Sequence, residues 1–529
     1  IKIAVDMVNE GMITESEALM RVSPEHVEAF LHPMIDPAAK TDIVASGLPA
    51  SPGGATGAVV FSAEEAVEVA ENGTAVVLVR RETTPEDIHG MKVAEGILTA
   101  LGGMTSHAAV VARGMGVCAI TGCGSLTINY EEGTATTAEG IVIKRGDVIT
   151  LDGTAGEVML GDIPKTEASS SDDFQMLLSW ADKHRKLKVR ANAETPEDAA
   201  KARELGAEGI GLCRTEHMFF AADRIDKMRG MILSETKEER LKYLDMLFEF
   251  QRDDILELFK VMDGLPVTVR LLDPPLHEFL PHTLEEMSGL AERIGKPVEK
   301  IKAMTENLHE VNPMLGFRGC RLSVVYPEIT EMQVRAIISA AVAATEQGYR
   351  PFPEIMIPLV VNVREIRMLN EIIDKGIQEV LKEKAISIPY KVGTMMETPR
   401  ACLGADRLAG EVEFMSFGTN DLTQMTYGFS RDDVGKFLPR YLEKKLVESD
   451  PFVSLDQRAV GRLMEMAVTE SRSRKKGIKY GICGEHGGDP RSIQFCHDLG
   501  LDYVSCSPFR VPVARIAAAQ ANVGGTLLD

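Results

Sequence analysis

The chain has 529 residues, of which 44% are hydrophobic and 26% charged, and its formal net charge is −21. This length suffices for two or three domains with large cores, and the negative charge argues against a nucleic acid or an anionic membrane as partner. The longest apolar runs, such as residues 336–344, are too short to span a bilayer. No membrane association is therefore expected.

The eight cysteines are scattered, and because none forms a Cys-x-x-Cys pair, neither a zinc site nor a dithiol redox motif is indicated. Most of them are expected to be buried as small hydrophobic side chains in a reducing compartment. Residues 1–20 lack a signal-peptide pattern. We therefore expect a cytoplasmic protein, with an organelle as the alternative because the chain has no starting methionine.

Residues 1–41 are predicted to be a short helical remnant followed by a linker. The segment 14–17 (TESE) has the form of a capping box, and Ser23-Pro24 places a cap and a first-turn proline on a further helix. The prolines of segment 32–37 resist helix formation. Because the chain begins within a helical pattern, we expect it to be the remainder of a larger protein.

Residues 42–162 show short β patterns separated by turns, with few helical segments, which predicts a compact β/α domain. A helix start is predicted at residues 83–87 (TTPED). The expected strands are 56–61, 74–79, 97–99, 148–151 and 157–160.

The segment 102–113 (GGMTSHAAVVAR) stands out within this domain. Two glycines allow a tight turn, and Thr105 and Ser106 can cap the helix that the following apolar run predicts. His107 would then lie in the first turn, where unpaired backbone N–H groups favour an anion. An imidazole at this position could accept a phosphoryl group as a nucleophile. The alternative is a histidine that only caps or packs.

Residues 163–187 are polar and rich in turn residues, which predicts a second linker. From Lys188 to the end, residues 188–529, buried-strand runs alternate with helical patterns, as in parallel βα units. Eight units predict a (β/α)8 TIM-type barrel with a largely helical insertion at 273–353, and a doubly wound open sheet is the alternative. The strands are expected at 188–193, 209–213, 267–272, 354–358, 392–396, 413–417, 480–483 and 502–506.

Polar residues follow several of these strands, at the end of a barrel where catalytic residues usually lie. Arginine, acid, amide and thiol side chains at five strand ends are difficult to explain by packing. Two arginines beside two carboxylates could hold a metal ion together with a phosphoryl group. The segments are 213–216 (CRTE), 270–275 (RLLDPP), 393–399 (GTMMETP), 418–421 (GTND) and 483–486 (CGEH).

The segment 102–113 resembles the phosphohistidine segment of the enzymes that use phosphoenolpyruvate (PEP), and in particular that of the pyruvate, phosphate dikinase family. The segments 214–219 (RTEHMF) and 270–279 (RLLDPPLHEF) are similar to the dikinase pattern, and 312–319 (NPMLGFRG) to the wider superfamily. The resemblance implies a swivelling β/α phosphohistidine domain before a TIM-type barrel that binds PEP and pyruvate.

The same resemblance implies roles for individual residues. His107 would carry the phosphoryl group, and Cys483 would donate and accept the proton at the pyruvate methyl carbon. Glu397 and Asp421 would bind Mg2+. The residues that would contact phosphate, pyruvate or the metal-bound substrate are Arg214, Arg270, Arg318, Glu397, Gly418, Thr419, Asn420 and Asp421.

The activity implied is that of a phosphotransferase that interconverts pyruvate and PEP through a phosphohistidine. The family's full reaction, ATP + phosphate + pyruvate = AMP + diphosphate + PEP, needs an N-terminal ATP-binding domain, which we expect to be absent here. A homodimer through the barrel is also implied.

Two relatives remain as alternatives, a PEP synthase and an enzyme I-like phosphocarrier that passes phosphate to a protein partner. Enzyme I carries a helical partner-binding domain before its histidine, whereas only 106 residues precede His107.

Overall fold

The chain forms two units, Ile1–Trp180 and Ala181–Asp529, and each is described by itself. The computed structural model describes residues 1–23, 27, 33–36, 38–84, 87–103, 106, 108–109, 111–112, 116–167, 172–221, 223–281, 283–431 and 433–524.

The first unit is built around a mixed sheet of the order β2-β12-β11-β4-β5-β6-β7-β3, whose parallel centre is β4 to β7. The helices of this unit whose full extent is described are α1 (Lys2–Asn9), α2 (Glu15–Arg21), α3 (Ala63–Glu71) and α4 (Ile88–Val93), and α5 (Asp172–His184) contains the boundary between the units. The strands are β1 (Pro33–Ile35), β2 (Ile43–Ser46), β3 (Leu48–Ser51), β4 (Gly54–Val60), β5 (Val76–Arg80), β6 (Gly96–Thr99), β7 (Cys118–Thr121), β8 (Thr127–Asn129), β9 (Thr134–Thr136), β10 (Val142–Lys144), β11 (Val148–Asp152), β12 (Glu157–Leu160) and β13 (Lys165–Glu167).

Both faces of this sheet are covered, as the side chains of β5 show. Val77 and Val79 belong to one hydrophobic core, and Val76 and Leu78 belong to another on the opposite face, as the period of two in a strand requires. The predicted strands of this region are confirmed with small shifts at their ends. The described helices of this region are few, as expected: α3 and α4 pack together, and α4 begins at Ile88, directly after the helix start predicted at 83–87.

The capping box at the start of α2 is confirmed, because Thr14 and Glu17 exchange their side-chain and backbone hydrogen bonds. The two segments predicted as linkers contain regular structure that the sequence did not indicate. Strand β1 pairs with β13 in an antiparallel two-stranded sheet, with Met34 opposite Thr166. Backbone hydrogen bonds therefore join these two segments to each other.

The second unit is a closed barrel of eight parallel strands, β14 to β21 in sequence order. Pairing between β14 and β21 closes the barrel, so the (β/α)8 prediction is confirmed and the open sheet is excluded. The strands are β14 (Lys188–Asn192), β15 (Ile210–Arg214), β16 (Pro266–Arg270), β17 (Phe352–Ile357), β18 (Lys391–Met396), β19 (Phe414–Phe417), β20 (Lys479–Ile482) and β21 (Tyr503–Cys506).

Helices surround the barrel, and the predicted insertion between β16 and β17 is largely helical, with α9 to α12. No helix in the described part of the chain has both the length and the apolar composition needed to cross a bilayer. The helices of this unit are α6 (Pro196–Glu204), α7 (Ile225–Ile232), α8 (Lys237–Val261), α9 (Leu284–Ile294), α10 (Val298–Leu308), α11 (Cys320–Val325), α12 (Pro327–Glu346), α13 (Val363–Lys384), α14 (Pro399–Leu403), α15 (Ala405–Ala409), α16 (Thr419–Tyr427), α17 (Leu438–Glu443), α18 (Val460–Arg474), α19 (Pro490–Leu499) and α20 (Val511–Val523).

A buried ion pair crosses the interior of the barrel. Arg190 on β14 donates to Glu354 on β17 over 2.6 Å, and the Thr268 hydroxyl donates to the same carboxylate oxygen over 2.8 Å. Burial disfavours the charged form of Glu354, but the positive charge of Arg190 outweighs it and lowers the pKa of that carboxyl group. The pair therefore ties opposite parts of the barrel wall together.

Replacing Glu354 by glutamine is expected to lower the free energy of unfolding of the barrel by about 3–5 kcal/mol, because it leaves the Arg190 charge buried without a counter-ion. Chemical denaturation checks this value. Asp433→Asn, which alters an exposed pair with Lys436, is the control and should leave the free energy of unfolding nearly unchanged, because exposed ion pairs contribute little. Equal effects of the two substitutions would contradict the prediction.

Candidate active site

The carboxyl ends of the barrel strands hold the residues that the sequence singled out. Arg214 and Arg270 end β15 and β16, Glu397 follows β18, the segment 418–421 follows β19, and Cys483 follows β20. All these ends lie at one mouth of the barrel, because the strands are parallel. Arg318, which precedes α11, joins them through its contacts with Asp273 and Asp421.

Arginine and carboxylate groups alternate along a chain of contacts at this mouth. Arg270 donates to Glu216, and its Nη1 lies 2.9 Å from Asp273 Oδ2. Arg318 Nη2 lies 2.6 Å from the same Asp273 oxygen, and its Nη1 lies 3.0 Å from Asp421 Oδ1. The site thus contains guanidinium groups that are already oriented by acids and that can receive an anion.

Asp273 holds two of these arginines and was not among the predicted site residues, although it stands in the segment 270–275. Its burial opposes ionisation, but the positive charges of Arg270 and Arg318 outweigh this and lower its pKa. Arg214 is oriented separately, by an ion pair of 2.9 Å with Glu194. The acids therefore fix the arginines before any substrate arrives.

Glu397 and Asp421 are suited to a divalent cation. Burial raises the pKa of Glu397 well above its ordinary value, and the negative charges of Asp421 and Asp273 raise it further. A bound cation would relieve this repulsion. The Asn420 side-chain oxygen is also buried without a hydrogen-bond partner among the described residues, as is expected for an oxygen that awaits a ligand.

No group of three histidine, cysteine or acidic side chains with metal-site geometry occurs within the described ranges. Mg2+ is usually bound by one or two carboxylates, and oxygen atoms of water and substrate supply its other ligands. Such a site needs no third protein ligand of that kind. The donor set therefore fits that ion.

The strand-end turns at β19 and β20 are packed closely against each other. A Cβ atom at Gly418 would lie 2.7 Å from Glu397 Oε2, and one at Gly484 would lie 2.2 Å from the Thr419 hydroxyl. That hydroxyl is 2.7 Å from Nδ1 of the buried His486. His486 was quoted in the segment 483–486 without a role, and it fixes the orientation of Thr419.

Cys483 is buried beside apolar side chains, in a cluster with Leu212, Met356, Met395 and Phe414. Burial raises the pKa of its thiol to about 11, and the thiol lies 3.6 Å from the Phe417 carbonyl oxygen, to which it donates. The thiol is therefore protonated at neutral pH. The strand β20 that precedes Cys483 pairs with β19, which the first turn of α16 with Asn420 and Asp421 follows.

His107 lies outside the described residues, and so do its neighbours 104, 105 and 110. The described part of the segment agrees with the predicted cap, because the Ser106 hydroxyl accepts a hydrogen bond of 3.4 Å from the N–H of Ala109. Gly102 has a φ of 109°, which a residue with a side chain rarely adopts. Among the described residues of this segment, Gly102 thus has the backbone that a glycine favours, and Ser106 caps the helical residues 108 and 109.

Comparisons with known proteins cover most of the chain. Residues 168–523 match the PEP-utilising enzyme, PEP-binding domain, and residues 73–156 match the PEP-utilising enzyme, mobile domain. A pyruvate, phosphate dikinase of Clostridium symbiosum is 56% identical over 524 residues, and that of Rhizobium meliloti (strain 1021) is 55% identical over 526 residues. Pyruvate, phosphate dikinase 1, chloroplastic, of Arabidopsis thaliana is 54% identical over 527 residues.

These matches include 98%, 99% and 99% of this chain but only 60%, 58% and 55% of the three relatives. The chain therefore spans somewhat more than half the length of the curated relatives it matches. The PEP-binding domain match alone extends over more than half of the chain. On that match, together with the arginine and acid groups at the mouth of a closed barrel, the chain belongs to the family of PEP-utilising enzymes.

Proposed function

We propose that the chain interconverts PEP and pyruvate, with His107 as the carrier of the phosphoryl group. The observation that carries this proposal is the series of ion pairs at the mouth of the barrel. The series runs from Arg270 through Asp273 and Arg318 to Asp421, beside the buried Glu397. It combines fixed cationic groups for a phosphate with carboxylates for a metal ion, as the transfer of a phosphoryl group between PEP and a histidine requires.

In the direction from PEP, the bond between phosphorus and the enol oxygen breaks, and a bond forms between phosphorus and a ring nitrogen of His107. The electron pair stays on the enolate of pyruvate. Cys483 then donates its proton to carbon C3, which completes pyruvate and leaves a thiolate. In the reverse direction the thiolate removes that proton.

The other residues orient and stabilise the substrate. The guanidinium groups of Arg214, Arg270 and Arg318 receive phosphoryl and carboxylate oxygens, and the turn of Gly418, Thr419 and Asn420 contacts the substrate. Glu397 and Asp421 would hold Mg2+, which would supply positive charge to offset negative charge that develops on the substrate. The apolar cluster around Cys483 excludes water from the carbon atom that receives the proton.

For the whole protein we propose the activity that the names of its relatives state. Pyruvate, phosphate dikinases at 52–56% identity support the reaction ATP + phosphate + pyruvate = AMP + diphosphate + PEP over that of a PEP synthase or an enzyme I. We infer a swivelling domain at 42–162 between a helical remnant with its linker at 1–41 and a second linker at 163–187, with the substrate-binding barrel at 188–529. We also propose that the protein forms a homodimer through the barrel. Its proposed location is the cytoplasm or an organelle.

Cys483→Ala tests the proposed chemistry at carbon C3. With pyruvate and Mg2+ in deuterated water, the wild type is expected to exchange methyl hydrogens, and the variant should lose this exchange by about 10²- to 10⁴-fold because its general acid–base group is missing. NMR measures the exchange, and titration must first show that the variant still binds pyruvate and Mg2+. Cys496→Ala, at another buried thiol, is the control. Conversion of PEP by Cys483→Ala at the wild-type rate would assign the proton to another group.

A further inference from the structure

Leu359, two residues after the end of β17, has a left-handed backbone with a φ of 56°. This conformation is unfavourable for a residue with a side chain, because the Cβ atom crowds the following carbonyl oxygen. Among the described residues, the others of this kind are Ala385, which caps the end of α13, and Lys445, which lies just after α17. Leu359 is fully buried and ends no helix, so a requirement elsewhere must hold it in place.

That requirement is Glu397. The N–H of Leu359 donates a hydrogen bond of 2.5 Å to Glu397 Oε1. The bond favours the ionised carboxylate and fixes its orientation. It occupies one carboxylate oxygen and leaves Oε2 to face the glycine at 418, where a Cβ atom would lie only 2.7 Å away.

Gly319 holds Leu359 from the other side. A Cβ atom at 319 would lie 2.6 Å from the Cβ of Leu359 and 3.1 Å from Asp273 Oδ1. Hydrogen bonds fix the contact on both sides, because Cys320 donates its N–H to the Pro358 carbonyl oxygen over 3.1 Å and its Sγ lies 3.3 Å from the Leu359 carbonyl oxygen. Only glycine fits this approach of two backbones.

We propose that Leu359 is a positioning residue, which aims Glu397 at the cation through its main-chain N–H and is held in its left-handed conformation by Gly319. Because Arg318 directly precedes Gly319, the same contact sets the anion-binding guanidinium and the cation-binding carboxylate relative to each other. The inference rests on the cation site of the proposed function, and it assigns roles to two residues that carry no reactive group.

Gly319→Ala is the first test, with Mn2+ binding to the complete chain measured by electron paramagnetic resonance. The added methyl group must displace Leu359, and Mn2+ affinity is expected to fall about 10- to 100-fold, as when a residue that orients a metal ligand is lost. Gly295→Ala is the matched control, because Gly295 also has a positive φ, of 69°, but nothing lies within 4 Å of its added Cβ. This control should bind Mn2+ as the wild type does.

A backbone substitution gives a second test that does not depend on how Gly319→Ala folds. Replacing Leu359 by its α-hydroxy acid turns one amide into an ester, which removes the N–H and keeps the side chain. Mn2+ affinity should again fall about 10- to 100-fold. The same replacement at Leu233, whose N–H donates to the Arg229 carbonyl oxygen over 2.9 Å, removes an ordinary helix-end bond and should leave it unchanged.

Wild-type Mn2+ affinity in the Leu359 ester would overturn the inference, and so would a wild type that does not bind Mn2+ at all. A wild type that binds Mn2+ but fails to convert PEP would overturn the proposed function and leave the positioning role intact. The two failures are thus distinguishable.

Discussion

Replacing His107 by asparagine is expected to reduce phosphorylation of the chain by PEP to background. Asparagine has similar polarity and can still cap or pack, but its amide nitrogen is not a nucleophile that can carry a phosphoryl group. The wild type, incubated with labelled PEP and Mg2+, should acquire phosphate that is labile in acid and stable in base, as expected of a phosphorus–nitrogen bond.

The matched control is His497→Asn, in the helix α19, which should be labelled as fully as the wild type. Release of pyruvate should equal the label incorporated. A label of the same chemistry that persists in His107→Asn would show that another side chain is the carrier, and the glycine turn before His107 would then serve only packing.

Asp421→Asn is expected to slow the formation of pyruvate from PEP by about 10³-fold or more, equivalent to about 4 kcal/mol. Asparagine keeps the size of the side chain and can still face Arg318, so the loss would come from the missing negative charge toward the cation. Glu397→Gln should have an effect of similar size, because we propose that both carboxylates hold the same ion.

Single-turnover kinetics with saturating PEP measures this loss, and circular dichroism checks that the barrel is intact. Asp433→Asn, at an exposed ion pair in the same connection between β19 and β20, is the control and should leave the rate unchanged. If Asp421→Asn retains near-normal turnover, the cation lies elsewhere in the site.

The barrel could be predicted from the sequence because its strands are buried on both faces and are separated by capped helices. Thr195 before Pro196, for example, caps α6 as the segment TPED indicates. The start of the helix α4 was predicted from the segment TTPED, although the helix contains Gly90, which lowers helix propensity. A Cβ atom there would lie 2.4 Å from the Cα of Ala63, so a tertiary contact outweighs the local preference.

The composition of the site was predictable from the strand ends, but its connections were not. Asp273 and Arg318 are separated by 45 residues, and nothing in either segment alone indicates that they pair. The left-handed backbone of Leu359 could not be predicted from the sequence either, because leucine has no preference for this conformation. Both features depend on how the insertion between β16 and β17 returns to the mouth of the barrel.

The most direct test of the account is the exchange of labelled pyruvate into PEP by this chain alone, with Mg2+ and without any nucleotide. We expect that a small amount of PEP phosphorylates His107, after which labelled pyruvate is converted to labelled PEP, and that the exchange stops in His107→Asn or when the metal is chelated. A folded chain that binds pyruvate and Mg2+ but shows no exchange, or an exchange that continues in His107→Asn, would contradict it.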